Sequence, residues 1–360
     1  MMNQRVDSHK LMLHPERVAK WKSGEKILPI NMEICLTGAC NHRCTFCCCD
    51  YMNYKPDMLD YDKLINNIKT ISEPKDGLKS VLLAGTGEPC LYPRFINVVN
   101  EIKRIGVDVA VSTNGVLFDK NKIDECMESI SWVRFSTSGG TEETYNKIHR
   151  GKPGDLQKVF SNLEYASKYK SLHNLKTVLN VQIVMIPENV NEIVPLGKKI
   201  KELGADRFIV KAFGWNPPME NKTGEGINKE FFENQDMLKE EFAKLSDGRF
   251  EALYRVERIH NIFSNKNYDE CYASPFHAFL GADGSVYPCC HLPGIEKYKF
   301  GNINKESLFD IFMDNSGRRL QVLHILKEEK LTHCANACKL EEMNKYLHEL
   351  VFPGDHVNFI

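Results

Sequence analysis

Cys40, Cys44 and Cys47 fall within one eight-residue window, Cys-Asn-His-Arg-Cys-Thr-Phe-Cys. Three thiolates this close can hold three corners of an iron–sulfur cube and leave the fourth iron open, and an open iron is a place for chemistry. A structural zinc normally takes four ligands, usually as two separated pairs, so a compact trio fits it poorly. Cys48 and Cys49 follow directly and could also coordinate metal on geometry alone. A second set lies far downstream, Cys271, Cys289, Cys334 and Cys338, with Cys290 and His291 beside Cys289. Four ligands close one cluster or one structural zinc.

The Cys-x3-Cys-x2-Cys spacing, with Phe46 just before the third cysteine, resembles the signature loop of the radical S-adenosylmethionine (radical SAM) enzymes. The resemblance implies a four-iron four-sulfur cluster on Cys40, Cys44 and Cys47, with Cys48 and Cys49 as spare thiols. In that family the amine and carboxylate of S-adenosylmethionine chelate the open iron. One electron then cleaves the cofactor, and the 5′-deoxyadenosyl radical removes a substrate hydrogen.

Other motifs carry the same resemblance. Ala84-Gly85-Thr86-Gly87-Glu88-Pro89 resembles the element that grips the amino group of the cofactor; glycines allow close backbone approach, and a carboxylate suits an ammonium. Ser112 and Asn114, in Ser-Thr-Asn-Gly, offer hydroxyl and amide groups to a ribose, or form a polar turn. The family places Ser136 near the ribose or carboxylate and Arg150 near the carboxylate, against the alternative of a surface salt bridge for Arg150. Val184 and its strand are expected beside the adenine, with Asn189 on the turn beyond. Lys211, at the end of a sixth strand, either points at the substrate or marks an exposed strand end. Cys271-x12-Gly284-x4-Cys289 resembles the start of the SPASM and Twitch domains. The full SPASM pattern has additional closely spaced cysteines, so the resemblance implies one auxiliary four-iron four-sulfur cluster on Cys271, Cys289, Cys334 and Cys338. Its expected work is electron transfer or structural support.

Elements must bring these groups together. Strands are expected at Asn31–Leu36, Ser80–Ala84, Asp108–Ser112, Trp132–Ser136, Leu179–Met185 and Arg207–Ala212, with amphipathic helices at Tyr61–Ile71, Pro93–Ile105, Lys120–Met127, Leu156–Tyr169 and Val190–Leu203. Short apolar strands alternating with helices argue for a parallel sheet wrapped by helices. The expected fold is α/β, a partial (β/α)6 barrel with a small auxiliary-cluster domain, its reactive groups at the carboxyl ends of the strands. The expected divisions are an N-terminal extension (1–29), the barrel (30–215), a bridging segment (216–268) with one helix near Lys229 to Leu245, the SPASM/Twitch-like domain (269–345) and a tail (346–360). An Asp283-Gly284 reversal is expected to turn the auxiliary hairpin, and the apolar end His356–Ile360 to fold back on the barrel.

The chain has 360 residues, 42% of them hydrophobic, enough for a full core. With 47 Lys and Arg against 48 Asp and Glu, the net charge of -1 gives no reason to expect nucleic acid. The first 26 residues are too broken by charge for a signal peptide, and no apolar run is long enough to span a bilayer. Thirteen cysteines then fit a reducing cytoplasm and metal-bound thiols. The expected activity is oxidation or epimerisation of a carbohydrate-like small molecule, a sugar or nucleotide sugar. A flavodoxin or ferredoxin would donate electrons, and the auxiliary cluster would relay them. The alternatives are a peptide maturase and, more remotely, a zinc protein that binds a partner. Lys211, Tyr272, His277 and Tyr287 are the candidates for proton transfer.

Overall fold

Alternate residues of the six expected strands are buried almost completely: Met32 and Ile34, Val81 and Leu83, Val109 and Val111, Val133 and Phe135, Val181 and Ile183, Phe208 and Val210. This period of two sends one apolar row against helices and turns the residues between them into a lumen. The computed structural model describes residues 9–220, 223, 227, 229–255, 262–263, 266–313, 317–332 and 334–359. The start of the expected N-terminal extension, parts of the expected bridge and Ile360 lie outside the described residues.

After helix α1 (Pro15–Lys22), strands β1 (Asn31–Ile34), β2 (Ser80–Leu83), β3 (Asp108–Thr113), β4 (Ile130–Ser136), β5 (Val178–Met185) and β6 (Arg207–Ala212) pair in parallel, each beside the next. The connections carry α2 (Tyr61–Ser72), α3 (Phe95–Arg104), α4 (Lys120–Cys126), α5 (Glu142–His149), α6 (Asp155–Leu172) and α7 (Ile193–Glu202). Local chemistry starts several of them: Asp60, Asp119 and Thr141 each accept a backbone N–H of the first helical turn through the side chain. Leu64, Ile68 and Ile71 of α2 and Phe95, Val98, Val99 and Ile102 of α3 are buried at helical spacing.

The sheet extends beyond six strands on both sides. β7 (Glu251–Tyr254) pairs in parallel with β6, inside the segment expected to be a bridge. Its side chains are all at least partly exposed, so it lacks the apolar signature of an inner strand. The single helix expected near Lys229 to Leu245 is two, Lys229–Glu233 and Asp236–Ala243, because Gln235 leaves helical geometry (φ −106°, ψ 26°).

On the other side, β8 (His277–Leu280) pairs in parallel with β1 from Asn31↔His277 to Ile34↔Leu280. β9 (Ser285–Tyr287) and β10 (Gly301–Asn302) follow antiparallel. The C-terminal cysteine region therefore begins as a continuation of the barrel sheet. Its hairpin loop is one residue longer than the expected Asp-Gly reversal: Gly281 N–H bonds to Ser285 O (2.8 Å), and Gly284 closes an inner turn onto Gly281 O (2.9 Å) at φ +83°.

Helix Glu341–Val351 runs through the division expected at 345, with Leu347 buried. The tail beyond it does not fold back: Phe352 and Phe359 are 61% and 86% exposed. Among the described residues no helix is long and apolar enough to cross a membrane.

Arg319, buried on helix Arg318–Glu328, ties three segments. Its guanidinium donates to Ile27 O (2.9 Å) before β1, to Phe312 O (2.8 Å), and to Pro275 O (3.1 Å) before β8. Arg319→Met would leave these carbonyls without their charged donor. An expected loss of about 3 kcal/mol in unfolding free energy can be read from denaturant titration, and an unchanged midpoint would contradict this role.

Candidate active site

The cysteine loop leaves the carboxyl end of β1 and is fixed by its neighbours' backbones. Glu88 N–H donates to Ala39 O (2.8 Å), Arg43 N–H to His149 O (3.0 Å) and Thr45 N–H to Ile148 O (2.8 Å). The last two bonds use carbonyls at the C-terminal end of α5, which have no partner inside the helix. Asn114, after β3, donates its side-chain amide to Asn41 Oδ1 (2.8 Å).

Gly85 and Gly87 make room for the protein's own backbone and side chains. A Cβ on Gly87 would lie 2.2 Å from Thr37 O and 2.4 Å from Ala39 O, and one on Gly85 2.5 Å from Cys35 Cβ. Gly85 also has φ +131°. The glycines admit the cysteine loop itself, seating it on the turn after β2.

Within this frame the sulfurs of Cys40, Cys44 and Cys47 interact with one another. Burial pushes all three thiols up, Cys40 to about 11, and the negative charge of the neighbouring sulfurs raises Cys44 further. Buried thiols of this kind become thiolates only beside a cation, which is the setting a cationic iron core supplies. The donor set thus fits a cluster, and Cys40, Cys44 and Cys47 would hold it. Cys48 and Cys49 turn to each other (Sγ to Sγ 3.6 Å).

The expected cofactor residues divide into those around this loop and those holding its walls. Buried Glu88 accepts from Asn114 N–H (2.8 Å), Thr113 Oγ1–H (2.6 Å) and Cys90 N–H (3.0 Å). Its Oε2 takes only the Asn114 bond of these and has a second lone pair to offer an ammonium. Phe46, Cys48 and Val184 pack on one apolar cluster with Ile148, Ile186 and Phe213, a surface for a flat ring.

Ser136, half-buried, ends β4 opposite Gln182. Ser112 lies deeper, its hydroxyl accepting both Arg134 Nε–H (3.1 Å) and Nη2–H (2.9 Å). Asn114 spends its side chain on Asn41 and on Val116 N–H (3.1 Å), and so secures the loop. Asn189 is fully buried and clamps β5 to the end of β4, donating to Val184 O (2.9 Å) and Ser138 O (3.0 Å) while accepting Ile186 N–H. Arg150 is exposed in a left-handed conformation (φ 51°) at the end of α5.

The second cysteine set also gathers. Cys289 interacts with Cys334 and Cys338, and Cys271 with Cys338 and Cys334. All four pack against Tyr268, Tyr272 and Phe276, and burial raises each of Cys271, Cys289 and Cys334. This set fits a closed cluster. Cys290 interacts with Cys289 and also with Glu33, Lys339, Cys48 and Lys211 in the lumen.

Sequence reasoning missed most of this lumen. Buried Glu33 and half-buried Lys339 form an ion pair; burial alone would raise the Glu33 carboxyl, but Lys339, then Arg134 and His291, hold it below the usual range. Lys211 faces Cys48, Cys290 and His291, the inward position and not the exposed one. Of the other proton-transfer candidates, His277 is buried at the amino end of β8 with Nδ1 3.1 Å from Asn31 Oδ1, and Tyr272 and Tyr287 are buried. Lys211 was singled out in the sequence; Glu33 and Arg134, which carry the same charge signal on the inner face of otherwise apolar strands, were missed.

A parallel sheet with an open three-cysteine loop after its first strand and four further cysteines beside it defines a radical SAM enzyme with an auxiliary cluster domain. Comparison agrees: residues 34–200 match the radical SAM superfamily and residues 271–339 the SPASM iron-sulfur cluster-binding domain, and the chain belongs to that superfamily. Its cofactors are S-adenosylmethionine and two iron–sulfur clusters.

The chain is 25% identical over 299 residues to the tungsten-containing aldehyde ferredoxin oxidoreductase cofactor-modifying protein of Pyrococcus furiosus, covering 77% of this chain and 79% of that protein. It is 25% identical over 295 residues to the cysteine-type anaerobic sulfatase-maturating enzyme of Clostridium novyi, covering 77% of each. Its fold is similar to Streptococcus suis SuiB, solved bound to precursor peptide SuiA, with a TM-score of 0.64, 15% identity and coverage of 86% of this chain and 71% of that one.

Gly87→Ala should displace the cysteine loop, cost about 2 kcal/mol of stability and lower the iron bound after anaerobic reconstitution. Iron assay and thermal unfolding test this; unchanged values in both would mean that the close approach does not matter.

Proposed function

We propose that this chain is a radical SAM enzyme that modifies a peptide or protein substrate, the alternative reading of the sequence and not the carbohydrate chemistry first expected. One observation carries the choice. The match to SuiB, solved with a precursor peptide, extends over 86% of this chain. The similarity to a sulfatase-maturating enzyme, which covers 77% of each protein, supports the same reading.

When bound and reduced, the cluster with S-adenosylmethionine supplies a 5′-deoxyadenosyl radical that takes one hydrogen atom from substrate carbon. The chain's own residues bind and orient. Cys40, Cys44 and Cys47 would hold one cluster, and Cys271, Cys289, Cys334 and Cys338 the other. Glu88 would take the cofactor's ammonium, Ser136 its ribose, and Phe46 and Val184 its adenine. Arg150 would have to turn inward to reach a carboxylate. The Glu33–Lys339 pair and Lys211 would face the substrate, and Lys211 is the first candidate to move a proton there.

A groove of about 330 Å³ at the carboxyl ends of β1 and β8, between Tyr51–Lys55 and the Gly281–Asp283 turn, carries Lys55, Asp57, Asp283 and Lys299 on its walls. Mixed charge and exposed backbone suit an extended peptide approaching the mouth.

Reconstituted enzyme given dithionite, S-adenosylmethionine and perdeuterated peptides should return deuterium in 5′-deoxyadenosine, read by mass spectrometry. Perdeuterated nucleotide sugars should not. Label arriving only from the sugars would overturn the peptide reading, and Cys44→Ala should abolish 5′-deoxyadenosine in either case.

A further inference from the structure

His149 grips the cysteine loop twice. Its carbonyl accepts Arg43 N–H, and its ring places Nδ1 3.1 Å from Cys44 Sγ. The other ring nitrogen fixes the chemistry of that contact. Ser138 N–H donates to Nε2 at 2.8 Å, so Nε2 carries the lone pair. A neutral imidazole has one N–H, which must then sit on Nδ1 and point at the sulfur.

Neighbouring rings hold this orientation. Tyr145 lies 4.4 Å from the His149 ring centroid, His42 5.5 Å and Phe46 5.8 Å. His42 is in turn held by Asp155, Nε2 to Oδ2 3.2 Å. His42, Cys44 and His149 gather within 4.8 Å, a spacing that also suits a single metal ion. The Ser138 bond occupies Nε2 of His149 and leaves Nδ1 as a donor, which argues against that alternative.

We propose that His149 is a positioning residue, a donor with a locked tautomer that bonds to the Cys44 sulfur and raises the reduction potential of the cluster held by the three-cysteine loop. A buried cluster on thiolates gains a negative charge when reduced, which burial opposes. A hydrogen bond to a ligand sulfur draws off electron density and favours the reduced form. The proposal rests on Cys44 being a cluster ligand, as read above.

The test is an EPR-monitored redox titration of full-length, reconstituted protein. The relevant signal is the one that S-adenosylmethionine perturbs; the auxiliary signal serves as internal control. His149→Phe keeps a ring and loses both nitrogens, and should move the midpoint of the responsive signal to a more negative potential. His149→Gln, which keeps a side-chain N–H, should fall between Phe and wild type, with the auxiliary midpoint unmoved.

In wild-type protein labelled with 15N-histidine, ENDOR should detect one histidine nitrogen and one exchangeable proton coupled to that signal. This measurement needs no variant to fold. An unchanged midpoint in an iron-replete His149→Phe protein, or no histidine coupling in wild type, overturns the proposal. A responsive signal that survives in Cys44→Ala overturns the ligand assignment beneath it, a result distinguishable from the other two.

Discussion

The structure depends on one electrostatic constraint: three thiols that must act as anions lie together in a partly buried loop, where the exposed Arg43 offsets only part of their burial and mutual repulsion. Burial and mutual repulsion raise Cys44 well above the ordinary thiol range, so the loop is suited to a cationic core and poorly suited to standing ionised alone. The loop's own bonds are short-range, from Arg43 to Cys40 O and His42 O and from Cys47 N–H to Cys44 O. It borrows rigidity from three directions, through Ala39 to Glu88, through Asn41 to Asn114, and through Arg43 and Thr45 to the end of α5. The close approach at Gly87 follows from the same need, since no side chain fits between the loop and the turn that carries Glu88. Preorganisation of this kind lets the ligand geometry exist before the metal arrives.

The parallel pairing of β8 with β1 extends that rigidity to the second cysteine set. Because β1 delivers the first loop and β8 the auxiliary hairpin, four paired residues fix the two sites relative to each other. A flexible linker would not. The Glu33–Lys339 pair adds a second tie between the barrel and the residue next to Cys338. Glu33 is buried and the Lys339 side chain 26% exposed, and such a pair contributes little net stability once desolvation is counted. Removing one would strand the other, so the pair constrains where the auxiliary segment docks.

The strands and helices of the barrel were legible because each strand alternates and each helix repeats at 3.6 residues, as in Val109–Val111 and Phe95–Ile102. The cysteine trio was legible for a different reason: its ligands are local in sequence. What escaped depended on contacts between distant residues. β7 is an edge strand with half-exposed side chains, so its four residues carry no pattern. The pairing of β8 with β1 joins residues 246 positions apart. Gly87 looked like a ligand-binding glycine, but the space it keeps open is taken by Thr37 and Ala39. Asn114 and Asn189 have the polar chemistry of ligand contacts and spend it on backbone and neighbouring side chains. A residue's type states what it can bond to, and only packing decides which partner reaches it first.

Cys289 and Cys290 show how finely that decision is made. They are neighbours with the same side chain and both act on Lys339, yet Cys289 also interacts with Cys334 and Cys338 while Cys290 meets Glu33, Cys48 and Lys211. The chain just past β9 thus puts one thiol in the auxiliary set and the next in the lumen. A hairpin extended from the barrel's own sheet therefore does more than carry cysteines. It brings the lumen wall and the auxiliary cysteines together on the same short stretch of backbone.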